Sequence, residues 1–78
     1  VKQWQVVVHD DAVNFYAVVV DVLNRVGGLS YDNAIEAAKR IQETGMVAIS
    51  STSQHAAELT AVRLRGYGLD ATIAWSKS

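Results

Sequence analysis

The sequence predicts a small two-layer α/β sandwich, with three strands and three helices in the order β-α-α-β-α-β. Two observations carry that expectation. Three short apolar runs read as strands, two of them alternating at period two, and apolar residues recur at helical spacing in three other stretches. Glycines and hydroxyl-bearing or amide-bearing caps stand at the boundaries between those runs. With 78 residues, half of them hydrophobic, the chain can bury one modest core, covering roughly 60% of its unfolded surface. Residues 1–78 are expected to form one domain, without repeats, linkers or low-complexity stretches.

Lys2–Val8 reads as a strand, because Trp4, Val6 and Val8 alternate with Gln3, Gln5 and Val7 and the valines favour extended backbone. His9–Val13 is expected as a loop, and Asn14 as the cap of the first helix. That helix carries Phe15, Val18, Val19, Val22, Leu23 and Val26 at helical spacing and stops at Gly27-Gly28. Its β-branched residues oppose helix formation, but the period and the glycine stop outweigh them. Ser30 caps a second helix reaching Glu43 or Thr44, with Ala34, Ala37, Ala38 and Ile41 on its apolar face and Gly45 at its end. Met46–Ser50 is the second strand. Ser51, Thr52 and Ser53 offer caps for a third helix through about Arg65. Its apolar face is expected along Ala56, Leu59 and Val62, with Leu64 or Ala57 beside it. After a turn at Gly66-Tyr67-Gly68, Leu69–Trp75 forms the last strand, with Ala71, Ile73 and Trp75 on one face, and Trp75–Ser78 is expected to fray.

Composition narrows the function. Seven basic and eight acidic residues leave a formal net charge of −1, which disfavours a nucleic-acid partner. Lys39-Arg40 and Arg63 with Arg65 read as solvated helix faces. No apolar run approaches the roughly 20 residues of a membrane span, and no signal-peptide pattern is present. Without cysteine there is no disulfide framework and no cysteine metal site, which fits a reducing compartment. His9 and His55 stand in no metal-binding spacing. Ser50-Ser51-Thr52-Ser53 lacks the surroundings of a phosphate loop or a nucleophile elbow and is explained by capping. The glycine pairs terminate helices, and Trp4 and Trp75 read as strand packing. No catalytic residue, no metal and no cofactor is expected: the chain reads as a binding protein, not an enzyme.

The feature left over is Val6-Val7-Val8-His9-Asp10-Asp11, an apolar strand running directly into two adjacent acids. Two neighbouring carboxylates are costly unless a cation meets them. The free α-amino group of a peptide is such a cation; solvated loop acids are the plainer alternative. Further on stand Asp21-Val22-Leu23, Ser30-Tyr31, Ala34, Gly45 and Gly68-Leu69-Asp70-Ala71-Thr72-Ile73. In this order and with these gaps, from Trp4 to Ile73, the chain resembles ClpS, the adaptor family that captures proteins by their N-terminal residue (the N-degron) and passes them to a Clp protease.

The resemblance implies the same β-α-α-β-α-β sandwich, also seen in the C-terminal domain of the ribosomal stalk protein. It implies that Asp10 and Asp11 hold the α-ammonium of a substrate, with Ala12 where many members have an acid and Gln42 where the family has a histidine. A hydrophobic pocket for Phe, Tyr, Trp or Leu would be walled by Val13, Asn14, Tyr16, Ala38, Ile41 and Leu69. Ala38 and Tyr16 replace family methionines and Asn14 a threonine, while Ile41 and Leu69 match. On periodicity alone, Tyr16, Ala38, Ile41 and Leu69 are equally readable as ordinary packing. His55 and Glu58, with Thr60 nearby, fall where the family touches the N-terminal domain of a Clp AAA+ unfoldase of the ClpA or ClpC type. The implied state is a monomer in the cytoplasm or plastid stroma. The alternative is a divergent ClpS-like module that has lost N-degron binding and serves protein–protein interaction alone.

Overall fold

The computed structural model describes residues 2–10 and 16–77, without the side chains of Lys2 and Lys77. Three strands, β1 (Lys2–His9), β2 (Met46–Ser51) and β3 (Asp70–Lys77), form one antiparallel sheet in the order β2-β1-β3. Three helices, α1 (Tyr16–Arg25), α2 (Tyr31–Thr44) and α3 (Gln54–Gly66), complete the predicted element order.

Register follows from side-chain alternation. Val6 lies between Ile49 and Ile73, and Val8 between Val47 and Ala71, so one face of the sheet is continuously apolar. The helices cover that face. Val6, Val8, Val20, Leu23, Ile41 and Leu64 are among the residues of one buried cluster, and no polar side chain is buried among the described residues. The other face carries Gln5, His9, Ala48, Ser50 and Thr72 around the largely covered Val7.

Local chemistry sets the boundaries. Ser30 Oγ accepts the Asn33 N–H at 3.2 Å and starts α2. Gly45, at φ +92°, ends it and returns its own N–H to the Ile41 carbonyl at 2.9 Å. The α1 stop is tight: a Cβ on Gly27 would lie 2.7 Å from the Leu23 carbonyl oxygen, and Gly28 sits at φ +78°. Asn24 Nδ2 donates to the Leu29 carbonyl at 2.8 Å and pins this turn. Ser53, the last of the three offered caps, starts α3 by accepting the Ala56 N–H at 3.1 Å. The expected Asn14 cap and the Phe15 packing position lie outside the described residues.

Three expectations are corrected. β3 does not fray at Trp75 but pairs as far as Lys77 opposite Lys2. The Trp4 and Trp75 rings meet at 4.9 Å with a 55° tilt, a cross-strand aromatic pair that holds both strand ends. The buried stripe of α3 is Ala57, Ala61 and Leu64, not Ala56, Leu59 and Val62; Leu59 is 45% exposed and Val62 56%. Apolar residues stand on two sides of this helix, and the small alanines win because they let the backbone approach β3 and β1 closely. Val18 of α1 is likewise 41% exposed, while Val20 takes the inward position.

Candidate functional site

Backbone pairing brings the end of β1 and the end of α2 to one corner. The Asp10 N–H donates to the Gly45 carbonyl at 2.8 Å, so Asp10 is fixed beside the residue that caps α2. Gln42 lies in the last turn of that helix, and its side chain, like that of Asp10, is exposed. His9 is in register with Asp70, which sets Leu69 at the same end of the sheet. Asp10, the Ile41-Gln42 turn of α2 and Leu69, distant from one another in sequence, therefore lie at one corner of the fold.

The corner favours a cation. The C-terminal end of a helix carries partial negative charge on its unpaired carbonyls, and the last turn of α2 contains no basic residue to offset it. The exposed Asp10 carboxylate adds a full negative charge, and Gln42 can offer an amide oxygen as acceptor. His9 does not complete the set. Its ring lies on the open face of the sheet, with Nε2 3.3 Å from Thr72 Oγ1.

The expected apolar wall is divided. Ala38, Ile41 and Leu69 are nearly fully buried and belong to the core cluster. Tyr16 opens α1, and its hydroxyl donates to the Ile35 carbonyl of α2 at 3.4 Å. Ile35, Ala38 and Gln42 share one strip of α2, so Tyr16 is held along the strip that ends at Gln42. A hollow of about 210 Å³ lies there, lined in part by Tyr16, Val20, Tyr31 and Ile35. Asp21 also borders it, but its carboxylate is engaged by Arg25, at 2.7 Å from Nη2 and 3.0 Å from Nε. That hydrogen bond, and then the charge of Asp21, raise the Arg25 guanidinium above its ordinary value. Asp11, Val13 and Asn14 lie outside the described residues.

His55 and Glu58 stand exposed near the start of α3, and Glu58 Oε1 accepts from Gln54 Nε2 at 3.3 Å. Because α3 begins just beyond the far end of β2, these two residues lie at the opposite end of the sheet from Asp10. Along α3, His55 lies roughly 16 Å and Glu58 roughly 12 Å from the Gly66 end of the helix.

Residues 1–72 match the family model described as ATP-dependent Clp protease adaptor protein ClpS. The chain belongs to the ClpS family. It is 33% identical over 70 residues to the ATP-dependent Clp protease adapter protein ClpS of Streptomyces coelicolor, spanning 90% of this chain and 73% of that protein. It is 31% identical over 70 residues to the protein of the same description from Streptomyces avermitilis, spanning 90% of this chain and 67% of that one. ClpS is an adaptor family, and the α/β fold observed here is consistent with it. No helix among the described residues is long and apolar enough to cross a membrane.

Two features of this ClpS chain escaped sequence reasoning. Gly45 was readable as a helix stop, but nothing local announces that its carbonyl also anchors Asp10. Leu59 and Val62 fit the helical period yet stand exposed, since a period of 3.6 does not say which of two apolar strips turns inward.

Proposed function

We propose that this protein is an adaptor that binds the free α-amino group and the bulky hydrophobic first residue of substrate proteins and delivers them to a Clp AAA+ protease. The observation that carries the reading is the exposed Asp10, whose backbone is tied to the residue that caps the carbonyl end of α2, in a chain of the ClpS family. Asp10 and Asp11 accept charge-assisted hydrogen bonds from the α-ammonium, each stronger than a neutral bond. Gln42 supplies a third acceptor. Val13, Asn14, Tyr16, Ala38, Ile41 and Leu69 surround a Phe, Tyr, Trp or Leu side chain. His55 and Glu58, on the first half of α3, face the N-terminal domain of a ClpA-type or ClpC-type unfoldase. The protein acts as a monomer in the cytoplasm, as a binder and not as a catalyst, and needs no cofactor for recognition of this kind.

A second reading is favoured by the burial of Ala38, Ile41 and Leu69 together with the exposure of Leu59 and Val62. In it the corner binds no N-degron, and the outer strip of α3 docks a protein partner. One experiment separates the two. Fluorescence polarisation is measured on short peptides differing in residue one, each with a free and an acetylated amine. Micromolar or tighter binding to a Phe, Tyr, Trp or Leu peptide, lost on acetylation and in Asp10→Ala, supports the adaptor reading. Absence of binding to every free-amine peptide overturns it in favour of the second.

A further inference from the structure

The flank of α2 turned away from Ala38 and Gln42 faces the edge strand β2, and between them runs a groove of about 520 Å³. Leu29, Ala37, Val47 and Ile49 supply its apolar lining, and Glu36 and Arg40 stand on its helical rim. β2 pairs with β1 on one side only, so alternate residues present backbone N–H and C=O groups outward with no strand to meet them. Its sequence, Met46-Val47-Ala48-Ile49-Ser50-Ser51, contains none of the charges or prolines that commonly protect such an edge. Val47 and Ile49 are only half-buried, while their neighbours on β1, Val8 and Val6, are each 1% exposed.

We propose that this groove binds an extended polypeptide segment, which adds to the sheet as a fourth strand beside β2 and presents a carboxylate to Arg40. Unmet strand hydrogen-bonding groups select a strand-like occupant. Charge selects its chemistry. Glu36 is within 3.9 Å of Lys39 Nζ, whereas the Arg40 guanidinium has no ion-pair partner among the described residues. Position selects where the acid must fall. Counted from Gly45, Arg40 stands roughly 7.5 Å along α2 and Val47 roughly 6.6 Å along β2, so the two are level. An antiparallel segment therefore needs its acid near its C-terminal end, on the same side as its apolar residues.

A second copy of this chain does not fit. α2 packs closer to β2 than to β1. Pairing two β2 edges would set two α2 helices above strands about 4.8 Å apart, where packed helices need about 8–10 Å. A single peptide strand brings no helix with it.

The test is a titration of the ¹⁵N-labelled protein with acetyl-TVTVTE-amide, followed by backbone amide shifts. Being acetylated, the peptide lacks an α-ammonium, so the outcome is independent of the proposed corner site. Shifts centred on Val47–Ser50 and Arg40 are expected. Arg40→Glu should weaken this peptide about fivefold and favour acetyl-TVTVTK-amide instead, while leaving free-amine peptides bound as before. Absence of β2 shifts at millimolar peptide overturns the proposal, as do shifts centred on Gln42 or equal binding of the acidic and basic peptides. Concentration-dependent β2 shifts without peptide also overturn it, assigning the edge to self-association.

Discussion

Helices α2 and α3 are nearly equal in length and both begin on a serine cap, yet they use their apolar residues differently. α2 has one apolar stripe, Ala34, Ala37, Ala38 and Ile41, and all of it is buried. α3 has two: Ala57, Ala61 and Leu64 face inward, while Leu59 and Val62 face solvent. A helix with one stripe is wholly committed to the core, so its remaining sides can carry polar groups such as Gln42 and Arg40. A helix with two has an apolar strip to spare, which the scaffold does not require and a protein partner can cover.

The largest effect expected from this contrast is on stability. Leu64 is fully buried, so Leu64→Ala should cost about 2–5 kcal/mol. Leu59→Ala, on the outer strip, should change stability by less than about 0.5 kcal/mol. Urea unfolding of the two variants measures the difference directly. Equal losses would return Leu59 to the core and remove the spare strip.

Next in size is Asp10→Ala at the end of α2. Losing a hydrogen bond to a charged group is worth about 1.5–3 kcal/mol, so affinity for a free-amine Phe peptide should fall about 10-fold to 100-fold. Because Asp10 is exposed and its backbone bond to Gly45 survives the change, the urea midpoint should stay in place. A loss of affinity accompanied by a shifted midpoint would indicate damage to the corner, not to recognition.

The same contrast explains what the sequence disclosed. The order of the elements was legible because caps and glycines mark several boundaries: Ser30, Gly45 and Ser53 each do in the structure what their residue types imply. The α2 stripe was legible because no second apolar strip competes with it. The α3 face was not, since Leu59 and Val62 fit the period as well as Ala57 and Leu64 do. The extension of β3 was hidden because it depends on Trp4, more than seventy residues away from Trp75 in the chain. Asp10 stood out as a candidate through its place at a strand end, but its closeness to Gln42 comes from a long-range backbone bond to Gly45 that no local pattern encodes. Ala38, Ile41 and Leu69 were readable both as core and as pocket wall, and their burial in one cluster supports the first role without testing the second.

A smaller effect tests the caps themselves. Ser30→Ala and Ser53→Ala should each cost about 1 kcal/mol, visible as lower urea midpoints. Only Ser30→Ala should also weaken free-amine binding, because only α2 carries Gln42 and the glycine that anchors Asp10. Equal weakening by both would mean that the corner responds to general destabilisation.

The smallest expected effect is a change in the shape of a pH profile. Gln42 does not titrate, and an α-ammonium keeps its proton well below its ordinary value of about 7.7–8.0, so the Gln42 contact should be the same at pH 5.5 and pH 7. In Gln42→His, a neutral imidazole nitrogen can accept from the ammonium above its ordinary value of about 6.5. Protonation removes that acceptor and adds a like charge. At about 4 Å in water two such charges repel by about 1 kcal/mol, equivalent to about fivefold in affinity. The variant should therefore bind free-amine peptides progressively more weakly than the parent as pH falls from 7.5 to 5.5. The carbonyl end of α2 favours the imidazolium and should move the fall toward higher pH. Polarisation titrations of both proteins across that range supply the comparison, and parallel profiles would place residue 42 out of reach of the amine.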